Sequence, residues 1–133
     1  MKLTSKSEYA LLALIYLARS GENVFVPVQV IASSQGIPPK FLEQILLILK
    51  RAKYLRSHRG QSGGYTLAKP AERIHLAEII RLFDGALAPT ESVSAYFYES
   101  TPIEKEKNLL EVFRDIRNFI SDKLEKTTLA DVL

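Results

Sequence analysis

The sequence predicts a mainly α-helical chain with one small β-hairpin: a winged helix-turn-helix followed by a long C-terminal dimerisation helix. Three observations predict it. Between Gly36 and Arg51, a glycine and the pair Pro38-Pro39 precede Leu42, Ile45, Leu46 and Leu49, which recur at i, i+3, i+4, i+7. That is one buried helical stripe with a start signal in front of it. Directly behind it, Gly60-Gln61-Ser62-Gly63-Gly64 separates two short stretches of alternating character, the signature of a hairpin. From Pro102 to about Lys126 a helical stripe then continues for longer than a small domain needs.

The elements follow in order. Ser5 to about Ser20 reads as a first helix, with Ser5 and Glu8 at capping-box spacing and Gly21 as its stop. Its run Ala10–Ala18 is apolar almost all round, which calls for cover on more than one face, and a dimer partner could supply part of it. Val24–Pro27 is extended. Val28–Gln35 reads as a short second helix with Val28, Ile31 and Ala32 in phase, and Gly36-Ile37 turns the chain into the Gly36–Arg51 helix. Helix, short glycine-containing turn and helix make a helix-turn-helix. Tyr54–Arg59 and Tyr65–Leu67 are the hairpin strands, with Arg59 at the tip; Gly63 and Gly64 read as turn geometry. Lys69–Ile74 is a connector, and Leu76–Phe83 is a helix ended by Asp84-Gly85. Residues 86–101 have no clear period and hold the aromatic run Tyr96-Phe97-Tyr98. Pro102 opens the long helix, and Thr127–Leu133 forms a final turn. The units expected are a winged helix-turn-helix over 1–88, a linker and possible effector region over 89–101, and the dimerisation helix with its C-terminal turn over 102–133.

Composition narrows the function classes. The formal charge of +3 is unevenly spread: residues 1–88 carry net +6 and residues 89–133 net −3. Between Lys40 and Arg59, six cations face only Glu43. A basic first half suggests a polyanionic partner. With no cysteine in the chain, disulfides, thiolate zinc sites, thiolate-ligated iron–sulfur clusters and cysteine nucleophiles are excluded. No metal site is expected, because His58 and His75 fall in different elements. No apolar run reaches about 18 residues, so no membrane span is expected. Nor does a cleavage-site pattern follow Tyr9–Ala18, so a cytoplasmic protein is the expectation. No nucleophile–base pair appears, and the Gly60–Gly64 loop lacks the ending of a phosphate loop, so an enzyme is not expected.

The candidate functional residues lie opposite the buried stripe of the Gly36–Arg51 helix. Lys40, Glu43 and Gln44 share one face of its first turns, and Leu47 continues it. A polar first turn on a helix anchored in a core suits major-groove reading. It also suits any amphipathic helix with a solvated face. The hairpin behind it favours DNA: an arginine at a wing tip, Arg59, can enter a narrow minor groove. Glu43 can accept from cytosine N4 and Gln44 can serve adenine. Leu47 could touch a thymine methyl or a partner protein. Lys50, Arg51 and Lys53 are placed for phosphates.

Together these residues resemble the Rrf2 family of bacterial transcription regulators. The likeness runs through the opening Met1–Ala10, through Phe41-Leu42-Glu43-Gln44-Ile45-Leu46, and most specifically through Arg59-Gly60-Gln61-Ser62-Gly63-Gly64-Tyr65. It continues in Phe113-Arg114-Asp115 and Thr127-Thr128-Leu129-Ala130-Asp131. The resemblance implies a homodimeric regulator, most simply a repressor, on an inverted-repeat operator. By that resemblance DNA contacts would come from Lys40, Glu43, Gln44 and Arg59, and the dimer interface from Leu109, Val112, Phe113, Ile116, Phe119 and Ile120; Leu47 and Arg51 join the DNA-contact set by their place on the same helix. Cluster-binding members carry three cysteines between wing and long helix. Here the segment reads Glu91–Thr101 without one, so no iron–sulfur cofactor is implied. Tyr96, Phe97 and Tyr98 could wall an effector pocket, receive a partner protein, or pack under the loop. The alternative function is a winged-helix protein-interaction module without specific DNA binding, for which Leu47 is the hint.

Overall fold

A computed structural model describes residues 1–133. The chain folds as α1 (Ser5–Ser20), α2 (Val28–Gln35), α3 (Pro39–Arg51), β1 (Leu55–His58), β2 (Gly64–Leu67), α4 (Leu76–Asp84) and α5 (Lys107–Lys126), with short 3-10 turns between and after them. The mainly helical winged helix-turn-helix expected from the sequence is the fold observed.

Helix α1 is the central post. Ala10, Ala13, Leu14 and Leu17 are fully enclosed, and α1 packs against α2, α3, α4, β2 and the C-terminal turn Leu129–Val132. Its own chain covers most of its apolar surface, while Leu12 stays exposed and Leu11, Ile15, Tyr16 and Ala18 are only partly buried. The cap is Thr4 rather than Ser5: the Thr4 hydroxyl accepts from the Ser7 N–H at 3.5 Å and donates to the Asp84 carboxylate on α4. One residue does two jobs, starting α1 and tying it to α4.

Gly36 ends α2 in the left-handed conformation (φ 66°, ψ 37°), where its lack of a Cβ removes the usual steric cost. The Ile37 N–H returns to the Ala32 carbonyl at 3.0 Å, and Ile37 plugs the turn as a buried residue. Pro38 and Pro39 then open α3, with Pro39 inside the first turn, where its missing donor costs nothing. Leu42, Ile45, Leu46 and Leu49 are all buried as the periodicity predicted. Lys50 and Arg51 occupy the last turn, where the negative end of the helix dipole favours cations.

The hairpin pairs Leu55 with Leu67, Arg56 with Thr66, Ser57 with Tyr65 and His58 with Gly64. Its turn is Gly60–Gly63, closed by the Gly63 N–H on the Gly60 carbonyl, so Arg59 stands on the shoulder of the tip. The extended segment at Val26 adds a third partial strand: Val26 and Tyr65 exchange both backbone hydrogen bonds, at 2.8 and 2.9 Å. Gly63 and Gly64 are accordingly more than turn residues. Gly64 is the first residue of β2, and a Cβ on it would lie 2.2 Å from the Val26 carbonyl oxygen.

Two features of the C-terminal third differ from expectation. Pro102 opens only a 3-10 turn, Pro102–Lys105, closed by the Glu106 N–H on the Ile103 carbonyl. Glu106 is extended (φ −115°, ψ 98°), and α5 begins at Lys107. The long helix is thus 20 residues, about 30 Å. The final turn also does not stay with that helix. Leu129 is fully buried in the main core and its N–H bonds the Ile74 carbonyl at 2.7 Å, while the Leu76 N–H bonds the Thr127 carbonyl at 2.9 Å. The chain end locks α5 onto the winged-helix body.

Candidate nucleic-acid interface

The exposed face of α3 is built by subtraction. Burial of its 42-45-46-49 stripe fixes the helix in the core, and the opposite positions have nowhere to point but outward. Lys40, Glu43, Gln44, Leu47 and Arg51 are all exposed, and at i, i+3, i+4, i+7, i+11 they form one face. Tyr9 of α1 packs edge-on against Phe41, with ring centroids 5.5 Å apart and planes at 83°. This aromatic pair holds the first turn of α3 in place.

The wing stands beside this face, with β1 packed against α3. The Tyr65 hydroxyl is held above its ordinary pKa, first by burial and then by the Glu43 carboxylate, so the base of the wing and the first turns of α3 share one electrostatic neighbourhood. Sequence reasoning did not find Tyr65, since nothing in a one-dimensional pattern places residue 65 beside residue 43. Arg59 is exposed and has no ion-pair partner, leaving its guanidinium free for an external anion. Arg56, in contrast, is occupied: it donates to Asn23 Oδ1 at 2.6 Å and lies over the Phe25 ring at 5.5 Å. It braces the wing against the α1–α2 connection. Behind the interface, Tyr54 donates to Glu78 Oε2 at 2.6 Å, with Lys69 Nζ over its ring at 4.6 Å. Burial and the adjacent carboxylate raise its pKa. That bond ties the junction of α3 and β1 to α4.

The six residues proposed from sequence for the dimer contact divide. Leu109, Val112, Ile116 and Phe119 form an exposed line along α5, and Phe113 is half-buried. Ile120 is partly buried within its own chain. It packs with Leu124 against Ala77, Ile80 and Leu87 of its own chain, because it lies on the flank of α5 that faces α4.

The 89–101 segment is ordered by its own hydroxyl groups. Thr101 donates to Ser92 Oγ at 2.8 Å, and Thr90 lies within hydrogen-bond distance of both. The Ser94 hydroxyl accepts from the Phe97 N–H at 2.9 Å. The Glu104 carboxyl is held below its ordinary range by hydrogen bonds from Tyr98 and Ser100. Tyr96, Phe97 and Tyr98 are all exposed, which corrects the reading that they pack under the loop: the serines and threonines fill that space. Arg81 of α4 lies over the Tyr96 ring at 4.7 Å and pairs with Glu125 of α5. Phe97 lines a cleft formed with Asp84, Thr90, Glu91 and Glu99 among others.

Comparison with known proteins agrees with this geometry. Residues 3–133 match the Rrf2 profile, described as an iron-dependent transcriptional regulator. The chain is 38% identical over 136 residues to Rv1287 of Mycobacterium tuberculosis, a protein named as an HTH-type transcriptional regulator, covering 99% of this chain and 81% of that one. Among solved structures it is similar to CymR of Bacillus subtilis, titled a global cysteine regulator, with TM-score 0.80, 28% identity and coverage of 99% and 95% of the two chains. It is also similar to the IscR of T. potens, with TM-score 0.76, 28% identity and coverage of 99% and 85%. The family description raises the question of iron. The chain has no cysteine, and no three His, Asp or Glu side chains come together in a group able to hold a metal ion. The donor set does not fit a thiolate-ligated cluster.

Proposed function

The chain belongs to the Rrf2 family of transcriptional regulators, and from that premise we propose that it binds an inverted-repeat operator as a homodimer joined through α5 and represses by occupying that site. It is a DNA-binding regulator and not an enzyme. The observation that carries the base-reading assignment is the exposed α3 face, Lys40, Glu43, Gln44, Leu47 and Arg51, held opposite a fully buried stripe with free Arg59 on the adjacent wing. In a dimer, the two α3 helices enter major grooves about 34–36 Å apart or a multiple of it, which calls for a palindromic site. Repression by occlusion needs only the bound dimer. No helix is long and apolar enough to cross a membrane, and a regulator of bacterial DNA works in the cytoplasm.

Anisotropy on an operator recovered from genomic DNA, against a scrambled duplex across a salt series, tests the site. Gln44→Ala should cost roughly 1–3 kcal/mol on the operator and little on scrambled DNA. Arg51→Ala should weaken both alike and flatten the salt dependence by about one unit of slope. Arg59→Ala should cost most where A/T-rich flanks narrow the minor groove. Glu43 repels phosphate, so Glu43→Ala should raise non-specific affinity while lowering the operator-to-scrambled ratio. Equal losses on both duplexes for Gln44→Ala and Glu43→Ala would favour a protein-interaction module with Leu47 at its centre.

The protein works without a thiolate-ligated cluster, and the exposed Tyr96–Tyr98 arch, linked by Arg81 to α4 and α5, is where an effector or partner engages it. Protein purified anaerobically should be colourless. Stoichiometric iron and sulfide in such material would overturn this reading.

A further inference from the structure

A cleft of about 420 Å³ lies where the end of α1, the base of the wing and the C-terminal turn meet. That size falls within the range of small-ligand pockets, roughly 300–1,000 Å³. Its walls come from segments far apart in the sequence: Leu17 and Ala18 of α1, Arg56 of β1, Leu67 of β2, Ala71 behind the wing and Ala130 of the last turn. Half of the lining is apolar, and its charged part is Glu22, Arg56, Lys69 and Glu72. No residue of the 89–101 segment lines it, so it is a different place from the Tyr96–Tyr98 arch.

The four charges do not neutralise one another. The ion pairs of the chain are Arg81–Glu125 and Glu111–Arg114, so two cations and two carboxylates line one cleft unpaired. The cations are nevertheless held in place. Arg56 donates to Asn23 Oδ1 at 2.6 Å, and its guanidinium lies over the Phe25 ring at 5.5 Å. A guanidinium has five N–H donors, so most of them remain for a carboxylate, which arginine takes as a planar fork. Lys69 Nζ is likewise placed, over the Tyr54 ring at 4.6 Å. Groups already fixed lose little freedom when a ligand arrives.

The charge pattern selects the ligand class. A purely anionic ligand meets Glu22 and Glu72, and a purely cationic one meets Arg56 and Lys69. A neutral apolar one strips water from all four charges and gives them no partner. We propose that this cleft binds a small aliphatic α-amino acid, with its carboxylate on Arg56 and Lys69, its ammonium on Glu22 or Glu72, and its side chain on the apolar lining. Such a ligand ties β1 to the body of the domain. Arg59 lies three residues beyond Arg56, so occupancy fixes the wing that carries it and strengthens operator binding. By linkage, operator DNA strengthens amino-acid binding by the same factor. This coupling rests on the operator reading; the site itself does not.

Calorimetry on the full chain without DNA tests the site. L-Leucine should bind saturably. Its analogues lacking one charge, 4-methylpentanoate and 3-methylbutylamine, should each bind about ten-fold or more weakly, the value of a lost charged hydrogen bond. No binding at millimolar leucine, or equal binding of either analogue, overturns the proposal. Ala18→Leu fills the cleft from α1 and should abolish binding with an unchanged melting temperature; undiminished binding puts the ligand elsewhere and overturns the site. Arg56 also braces the wing, so Lys69→Gln carries the charge test. It should narrow the advantage of leucine over 3-methylbutylamine and leave its advantage over 4-methylpentanoate, a pattern that a merely structural lysine would not produce. Anisotropy on the operator with and without leucine reads the coupling. Leucine that binds the protein but leaves operator affinity unchanged overturns the coupling, whereas an operator that is never bound defeats the DNA reading and leaves the calorimetric result standing.

Discussion

Replacing Ile116 by Asp is expected to separate the dimer into monomers while leaving the fold of each chain intact. Ile116 is exposed on the isolated chain, so a carboxylate there is solvated and costs the monomer little. In the proposed α5 interface it must be either desolvated or protonated. Protonation sets the ceiling. Forcing an aspartate with an ordinary pKa near 4 to be neutral at pH 7 costs about 4 kcal/mol. Two-fold symmetry places two copies in each interface, so the association constant should fall by several orders of magnitude. Sedimentation should show monomers at micromolar concentration, with an unchanged circular dichroism melt. Operator affinity should fall to that of a single half-site. Ile120→Asp is the contrast: its side chain packs against Ala77, Ile80 and Leu87, so the charge should lower the melting temperature of the chain itself. If both variants behave alike, the division of α5 into an outward and an inward flank is wrong.

That division shows what the sequence could and could not carry. The stripe of α3 was legible because Leu42, Ile45, Leu46 and Leu49 lie on one face and the residues opposite them are mostly polar. The apolar residues of α5 wrap further round, since one flank meets α4 and another is left bare. A single chain pattern merges the two, and nothing in it separates Ile120, packed towards α4, from the bare line. The cover on α1 was illegible for a different reason. It comes partly from Leu129, more than 100 residues away in the chain, and no local periodicity encodes a contact at that distance. The hydroxyl network of Thr90, Ser92 and Thr101 was hidden likewise, because hydrogen-bonding residues in a loop show no period. The Val26–Tyr65 bridge was also missed: one pair of hydrogen bonds leaves no alternating signature.

That bridge sets up the last expectation, a graded series through the wing glycines. Gly64→Ala should be the most severe. Its added Cβ would lie 2.2 Å from the Val26 carbonyl oxygen and 2.3 Å from its carbon, at φ 152°. Both obstacles are backbone atoms held by the paired Val26–Tyr65 hydrogen bonds, so relief means breaking the bridge. The combined overlap and strain should cost about 3–4 kcal/mol. Gly63→Ala meets the His58 carbonyl oxygen at 2.2 Å, but it sits where β1 gives way to the turn, and the tip can shift to relieve part of the overlap. About 2 kcal/mol is expected. Gly60→Ala meets nothing within 4 Å and bears only the strain of φ 103°, about 1 kcal/mol. Urea unfolding should rank the three in that order, and a Gly64→Ala variant as stable as Gly60→Ala would show that the Val26 strand does not hold the wing. The functional consequence follows from the same geometry. Losing the bridge releases the base of the hairpin that carries Arg59, so Gly64→Ala should also lose the A/T-flank preference assigned to that arginine, while Gly60→Ala keeps it.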